Sequence, residues 1–332
     1  MEFDYVIVGG GSAGCALAAR LAENREARVC LIEAGGKGRN LFIRMPAGNG
    51  LVFGNAKLDW GFESVPQPAL NDRKIYFPRG RALGGSSIMN GMIYIRGVPQ
   101  DYDAWRESGL SGWGFSDLLP YFRRSQGAVD RKGAWHGVDG PVKTEASVNF
   151  GELEEAFIEA AVACGHQRLD DFNGPHRAGV GRTDSTVHRG IRQSSAISYL
   201  AKPPSNLKIL THRQAVRVIL EGGVAKGIET LGKEKIVARE EVILCQGAFG
   251  TPQTLMLSGI GPAAHLSRHG INAVVDLPGV GQSLADHVDV SMQYGSDRMD
   301  LSLARHQRLD RAAWLMARWL FNGSGPGGGA FF

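Results

Sequence analysis

The sequence predicts an α/β fold built on a parallel sheet. Three observations lead there. The chain opens on strand, glycine turn, helix, strand. A second set of strands begins after residue 207. Glycine is the unusual count, 46 of 332 residues, in a chain whose 43% hydrophobic content is ordinary. That many glycines at normal hydrophobicity imply backbone passing close to other backbone or to a ligand.

The elements follow in order. Phe3 to Val8 is a β-branched run, Gly9 to Gly14 the turn, and Cys15 to Glu23 has helical spacing of Ala and Leu. Val29 to Ile32 is the second strand and ends at Glu33, so the chain opens as a βαβ unit. Ala34 to Gly97 is loop-rich, and a long irregular segment inside a compact domain is usually functional. Asp101 to Ser125 reads as helix and turns, and Phe150 to Cys164 as an amphipathic helix opening on acids. Leu207–Leu210, Ala215–Leu220, Ala225–Thr230 and Glu241–Cys245 read as strands, the middle two joined by Glu221-Gly222-Gly223. Pro252 to Leu257 is a helix closed by Ser258-Gly259, and Asp289 to Tyr294 alternates like a strand. Ala312 to Phe321 reads as an amphipathic packing helix, with peripheral membrane contact as the alternative. The tail from Gly323 to Phe332 is glycine-rich.

Charge and cysteine content narrow the function. The net charge of +4 arises from 37 basic against 33 acidic residues, scattered and interleaved. No nucleic-acid partner is expected from that pattern. No stretch reads as a secretion signal or a membrane-spanning helix. Cys15, Cys30, Cys164 and Cys245 have no CxxC spacing and are expected as reduced cysteines, with no metal site. The expected setting is cytoplasmic, with peripheral association to the inner membrane left open.

Gly9-Gly10-Gly11-Ser12-Ala13-Gly14 fits GxGxxG after a strand and before a helix, the Rossmann arrangement. Gly9 permits the turn, Gly11 lets N–H groups reach a diphosphate, and Gly14 lets the helix pack on the strand. Ser12 and Ala13 open the helix, whose N-terminus favours anions. Glu33 is placed to accept from both ribose hydroxyls and to repel a 2′-phosphate. This motif alone does not separate FAD from NAD.

A second glycine loop does. The run from Gly80 to Gly97, GRALGGSSIMNGMIYIRG, resembles the first signature of the glucose-methanol-choline oxidoreductases. The run from Gly247 to Gly261, GAFGTPQTLMLSGIG, resembles the second, with Thr254 in place of an aliphatic residue. Asp59-Trp60-Gly61-Phe62, Gly112-Trp113 and the stretch from Gly279 to His287 add to the likeness, although Ser283 and Ala285 depart from its GVGxNLQDH pattern. The resemblance implies bound FAD, with contacts from Ala34, Trp60, Arg81, Ala82, Gly84, Gly85, Ser86, Asn90, Gly91, Met92 and Ile93. A main-chain contact to adenine falls on Ala215. Met89 stands where some relatives link FAD to a His, so the FAD is expected to be non-covalent.

The resemblance also implies the chemistry: hydride transfer from an alcohol CH–OH to flavin N5, with O2 or a quinone as acceptor. The family's His, and the His or Asn beside it, would lie beyond residue 332. The nine histidines here read as solvated or structurally satisfied: His136, His166, His176, His188, His212, His265 and His269 in loop or surface-like contexts, His287 in a structural motif and His306 in a charged helix. GMIYIRG with Asp101, Tyr102 and Trp105 leans toward choline or aliphatic-alcohol dehydrogenases. A flavin-binding remnant without turnover and a hydroxynitrile lyase are the rival readings. The expected organisation is an FAD-binding domain over residues 1–149 and 191–285, interleaved with an incomplete α+β substrate domain over 150–190 and 286–332.

Overall fold

A computed structural model describes residues 1–147, 151–290, 309–323 and 325–329, together with 292, 294, 295, 297 and 298. Its main elements along the chain are β1 (Glu2–Val8), α1 (Ser12–Leu21), β2 (Val29–Ile32), β3 (Ile93–Tyr94), α2 (Pro99–Glu107), α3 (Phe115–Ser125), β4 (Gln126–Ala128), β5 (Val142–Ala146) and α4 (Glu152–Ala163). They continue as β6 (Asp184–Ser185), β7 (Leu207–Leu210), β8 (Ala215–Glu221), β9 (Val224–Thr230), β10 (Lys235–Leu244), α5 (Gly247–Leu257) and α6 (Leu309–Asn322). The chain divides into two units. One holds Met1–Arg39, Val52–Met89 and Ser194–Met292; the other holds Asn40–Leu51, Asn90–Gln193 and Gln293–Phe332.

The first unit is organised by a six-stranded sheet, β7-β2-β1-β10-β9-β8. β7, β2, β1 and β10 run parallel, while β9 and β8 fold back antiparallel. Strand alternation sends β1 side chains to two cores. Val6 and Val8 pack with Cys30, Ile32, Val218, Ile228 and Ile236 on one face. Ile7 packs with Cys15, Ala18, Leu31 and Leu83 on the other. Residues buried on both faces explain why β1 and β2 read as continuous apolar runs.

Several element boundaries differ from the sequence expectation, three of them near the cavity or in the main sheet. α1 starts at Ser12 rather than Cys15, because its first turn is the second half of the glycine motif. β10 starts at Lys235 rather than Glu241: Ile236 and Ala238 face the core, while the polar Arg239-Glu240-Glu241 run that masked the strand is exposed. α5 starts at Gly247, with Pro252 inside it, not at its head. Proline there removes one intrahelical bond, to the carbonyl four residues earlier. The strand expected over Asp289 to Tyr294 is not formed at Asp289 and Val290, which carry no regular pairing, and part of that stretch lies outside the described residues.

The second unit carries a four-stranded sheet, β3-β6-β5-β4. These strands pair with one another, so residues 90–149 group with this unit, whereas the sequence expectation ran the first cofactor segment to 149. Its interior is strongly polar. Arg131 forks onto the buried Asp184 at 2.8–3.0 Å, and Arg96 donates to Gln126 Oε1 at 2.7 Å. His136 is not in a surface context. It is 4% exposed, with Nε2 2.8 Å from Asp171 Oδ2 and Nδ1 3.2 Å from Gln126 Oε1. Burial works against the Asp171 carboxylate, but His136 and the Asn173 N–H outweigh it and hold its pKa below the usual range. α6 anchors on Trp319, whose indole N–H donates to the Gly190 carbonyl at 2.6 Å.

Candidate functional site

The carboxyl ends of β2, β1 and β10 lie side by side in the first unit and open onto a cavity of about 550 Å³. Such crevices beyond the carboxyl ends of parallel strands are where α/β sheets bind ligands. Gly9, Gly11, Ser12 and Ala13 line it after β1, Glu33 and Ala34 after β2, and Cys245, Gln246 and Gly247 after β10. Trp60, Gly85, Ser86 and Ala215 line it from other segments.

The two glycine loops interlock. The N–H of Gly84 donates to the carbonyl of Gly10 at 2.7 Å, and the N–H of Leu83 to Gly36 at 2.9 Å. Gly85 has φ +51, and a Cβ there would stand 2.6 Å from Gly11 Cα. Gly14 is equally constrained: a Cβ would stand 1.9 Å from the Gly9 carbonyl oxygen. No side chain caps α1 and no acid stands in its first turn, so its N–H groups and dipole are left available to an anion. The start of α5 also lines the cavity without a side-chain cap or an acid.

Glu33 is 6% exposed. Burial pushes its pKa up, against the pull of hydrogen bonds from Gly35 and Gly10. Gly10 N–H donates to Oε2 and Gly35 N–H to Oε1, both at 2.8 Å. Each carboxylate oxygen keeps a second lone pair for a ligand hydroxyl.

One wall is aromatic. Trp60 and Phe62 stack at 5.8 Å, Phe62 and Phe249 at 5.2 Å, and Arg79 lies 5.0 Å from the Phe249 ring centre. Arg81 lies over Trp60 at 4.8 Å. The buried Asp59 pins this wall: it accepts from the N–H groups of Gly54, Gly61 and Arg79 and from the Tyr76 hydroxyl. Burial opposes the Asp59 carboxylate, yet those donors win and hold its pKa below the ordinary range.

The remaining expected contacts have other places. Gly14, Arg81, Ala82 and Gly84 do not line the cavity but hold the loops around it: Ala82 is fully buried and bridges to Gly36. Asn90, Gly91, Met92 and Ile93 belong to the second unit. There Asn90 accepts from Arg192 through its backbone and side-chain oxygens, Met92 is buried at φ +64, and Ile93 is half exposed. Arg79, Arg213, Gln214, Gln246 and Phe249 line the cavity and were missed by sequence reasoning. For Gln246 the available signal was its position just after an apolar strand. Among the described residues no His, Cys, Asp or Glu cluster could hold a metal ion, and no helix is long and apolar enough to cross a membrane.

Comparison with known proteins agrees with this geometry. The family model for GMC oxidoreductases matches residues 3–289. The chain is 41% identical to an oxygen-dependent choline dehydrogenase of Brucella anthropi, over 98% of this chain and 60% of that protein. Pyridoxine 4-oxidase from Mesorbium loti superposes with a TM-score of 0.79 at 36% identity, over 83% of this chain and 55% of that one. A formate oxidase superposes at 0.86 and 31% identity, over 99% and 60%. The chain thus spans about 60% of the length of the curated relatives it matches.

Proposed function

The chain belongs to the GMC oxidoreductases, and on that premise we propose that its first unit binds FAD, without a covalent link, in an enzyme that oxidises the CH–OH group of a small alcohol. The interlock of the two glycine loops carries this reading. It brings the uncapped start of α1, the Glu33 carboxylate and an aromatic wall around one cavity. A dinucleotide needs those three features: N–H donors for its diphosphate, an acceptor for its ribose hydroxyls and a flat partner for a ring. Met89 is a side chain that forms no bond to a flavin.

When bound, FAD supplies the hydride acceptor. This chain's own residues bind and orient it. Among the described residues no histidine lines the cavity, so the proton acceptor for the alcohol is assigned to the part of the protein that would follow residue 332. The second unit is read as part of the substrate domain, choline or a similar aliphatic alcohol as the substrate, and O2 or a quinone as the electron acceptor. The test is reconstitution with FAD followed by anaerobic addition of choline and aliphatic alcohols. The expected result is tight flavin binding with no bleaching of the band near about 450 nm, a property of the cofactor, and bleaching in the protein extended to its relatives' length. Failure to bind FAD would overturn the reading; bleaching by this chain alone would place the base within it.

A further inference from the structure

Gln246 does not behave as a structural residue. It is the N-cap residue of α5, but its side chain makes no capping hydrogen bond, and its backbone N–H is satisfied by Thr251 Oγ1 at 3.2 Å. Ser, Thr, Asn and Asp cap helices far better than Gln. Its Cβ packs against Gly250, where an added Cβ would stand 2.7 Å away, so the side chain lies along the first turn of α5 on the cavity wall. Its carboxamide oxygen is buried and, among the described residues, accepts no hydrogen bond. An enclosed acceptor without a donor costs roughly 1–3 kcal/mol, a cost that a Met or Leu side chain would avoid.

The surroundings point to a use. Glu33 apart, the cavity's charged or helix-end groups are donors or cations: the starts of α1 and α5, Arg79 and Arg213. They suit phosphate oxygens. A dinucleotide also brings hydroxyl and amino donors, and these need acceptors. Glu33 stands at the end of β2, whereas Gln246 follows β10, on the opposite side of β1. The two acceptors therefore flank the glycine turn.

Resting on the FAD-binding reading, we propose that Gln246 is a cofactor-binding residue whose carboxamide oxygen accepts a hydrogen bond from a hydroxyl or amino group of the bound dinucleotide. Rotation about its terminal torsion, which is soft, presents the oxygen to the ligand.

The test compares the wild-type chain with Gln246→Met and Gln246→Ala. FAD and ADP affinities are measured by titration, alongside the melting temperature of the apo chain. FAD affinity should fall about tenfold, as for one lost hydrogen bond of roughly 1.4 kcal/mol, while the apo melting temperature of Gln246→Met stays level or rises. A parallel loss of ADP affinity puts the donor in the adenosine half, and a loss confined to FAD puts it in the flavin half; either supports the proposal. FAD affinity within twofold of wild type in Gln246→Met overturns it. So does a loss of affinity that tracks a loss of apo stability in both variants. A wild-type chain that binds no FAD overturns the parent reading instead, and this proposal with it.

Discussion

Replacing Gly85 by Ala strikes the contact that joins the two glycine loops. The added methyl would meet Gly11 Cα at 2.6 Å, against an ordinary carbon–carbon contact of about 3.6 Å. Both partners are backbone, so the loops must part by about 1 Å. The residue must also keep φ +51, and a left-handed conformation costs a non-glycine residue about 1–2 kcal/mol. With the strained Gly84–Gly10 hydrogen bond contributing about 1 kcal/mol more, the total is roughly 2–3 kcal/mol. If the loss falls on the bound state, FAD affinity drops about 30- to 100-fold, because 1.4 kcal/mol is tenfold. If it falls on the apo fold, melting drops roughly 3–4 °C, since unfolding entropy is about 2 cal/mol/K per residue over 332 residues. Flavin fluorescence titration and thermal melting of the same sample measure both. Gly50→Ala is the control: its Cβ would meet nothing within 4 Å, and it should change neither. A Gly85→Ala chain with FAD affinity within threefold of wild type and an unchanged melt would refute the argument that this close approach builds the site.

Four further outcomes follow from the same structure. Glu33 has a raised folded-state pKa, so the folded chain holds its proton more tightly than the unfolded one; its contribution to apo stability is full below its ordinary 4.5 and is lost as pH rises through the folded value. Glu33→Gln should remove that slope, and an unchanged stability–pH profile would contradict the assignment. Asp59 has the opposite sign: its pKa is lowered, so its stabilisation is present above its ordinary 3.8 and fades as pH falls through the folded value, and Asp59→Ala should lower the melting temperature by several degrees at pH 7. Trp60→Leu should weaken FAD binding about tenfold with little change in melting, read by titration, since it removes a stacking face from the cavity wall. Burial pushes the Cys15 and Cys30 thiols up to about 12, and Cys164 is the exposed cysteine, so a thiol reagent at pH 8 should label one site quickly and lose it in Cys164→Ser.

The βαβ opening was legible because its residues obey local rules. Val6, Ile7 and Val8 are buried on both faces, and the glycines sit where the turn and the helix contact require them. The interlock was half legible. The Gly80–Asn90 run announced a close approach, but not that its partner is the Gly9–Gly14 turn, a pairing set by tertiary structure. The start of β10 was hidden because its first half pairs with β9 and faces water on one side, so the exposed Lys235, Val237 and Arg239 alternate with Ile236 and Ala238. His136 looked like a loop histidine because its partners, Asp171 and Gln126, are remote in sequence. Arg79, Arg213 and Gln246 gave no periodic signal at all: each reaches the cavity through the end of a strand or loop, and strand ends are where pattern reasoning is weakest.

The position of β1 in the sheet bears on how the chain is made. β1 leaves the ribosome before every other strand of its sheet, and one of its edges is taken early by β2. The other is completed only by Val237–Leu244, about 235 residues later. At typical synthesis rates that is about 10–50 s with an apolar edge open to any passing strand. The cavity shares the delay, since its far wall is the start of α5. The complete cavity therefore forms only after residue 250 has emerged, and until then the nascent protein must stay unaggregated without a finished flavin site.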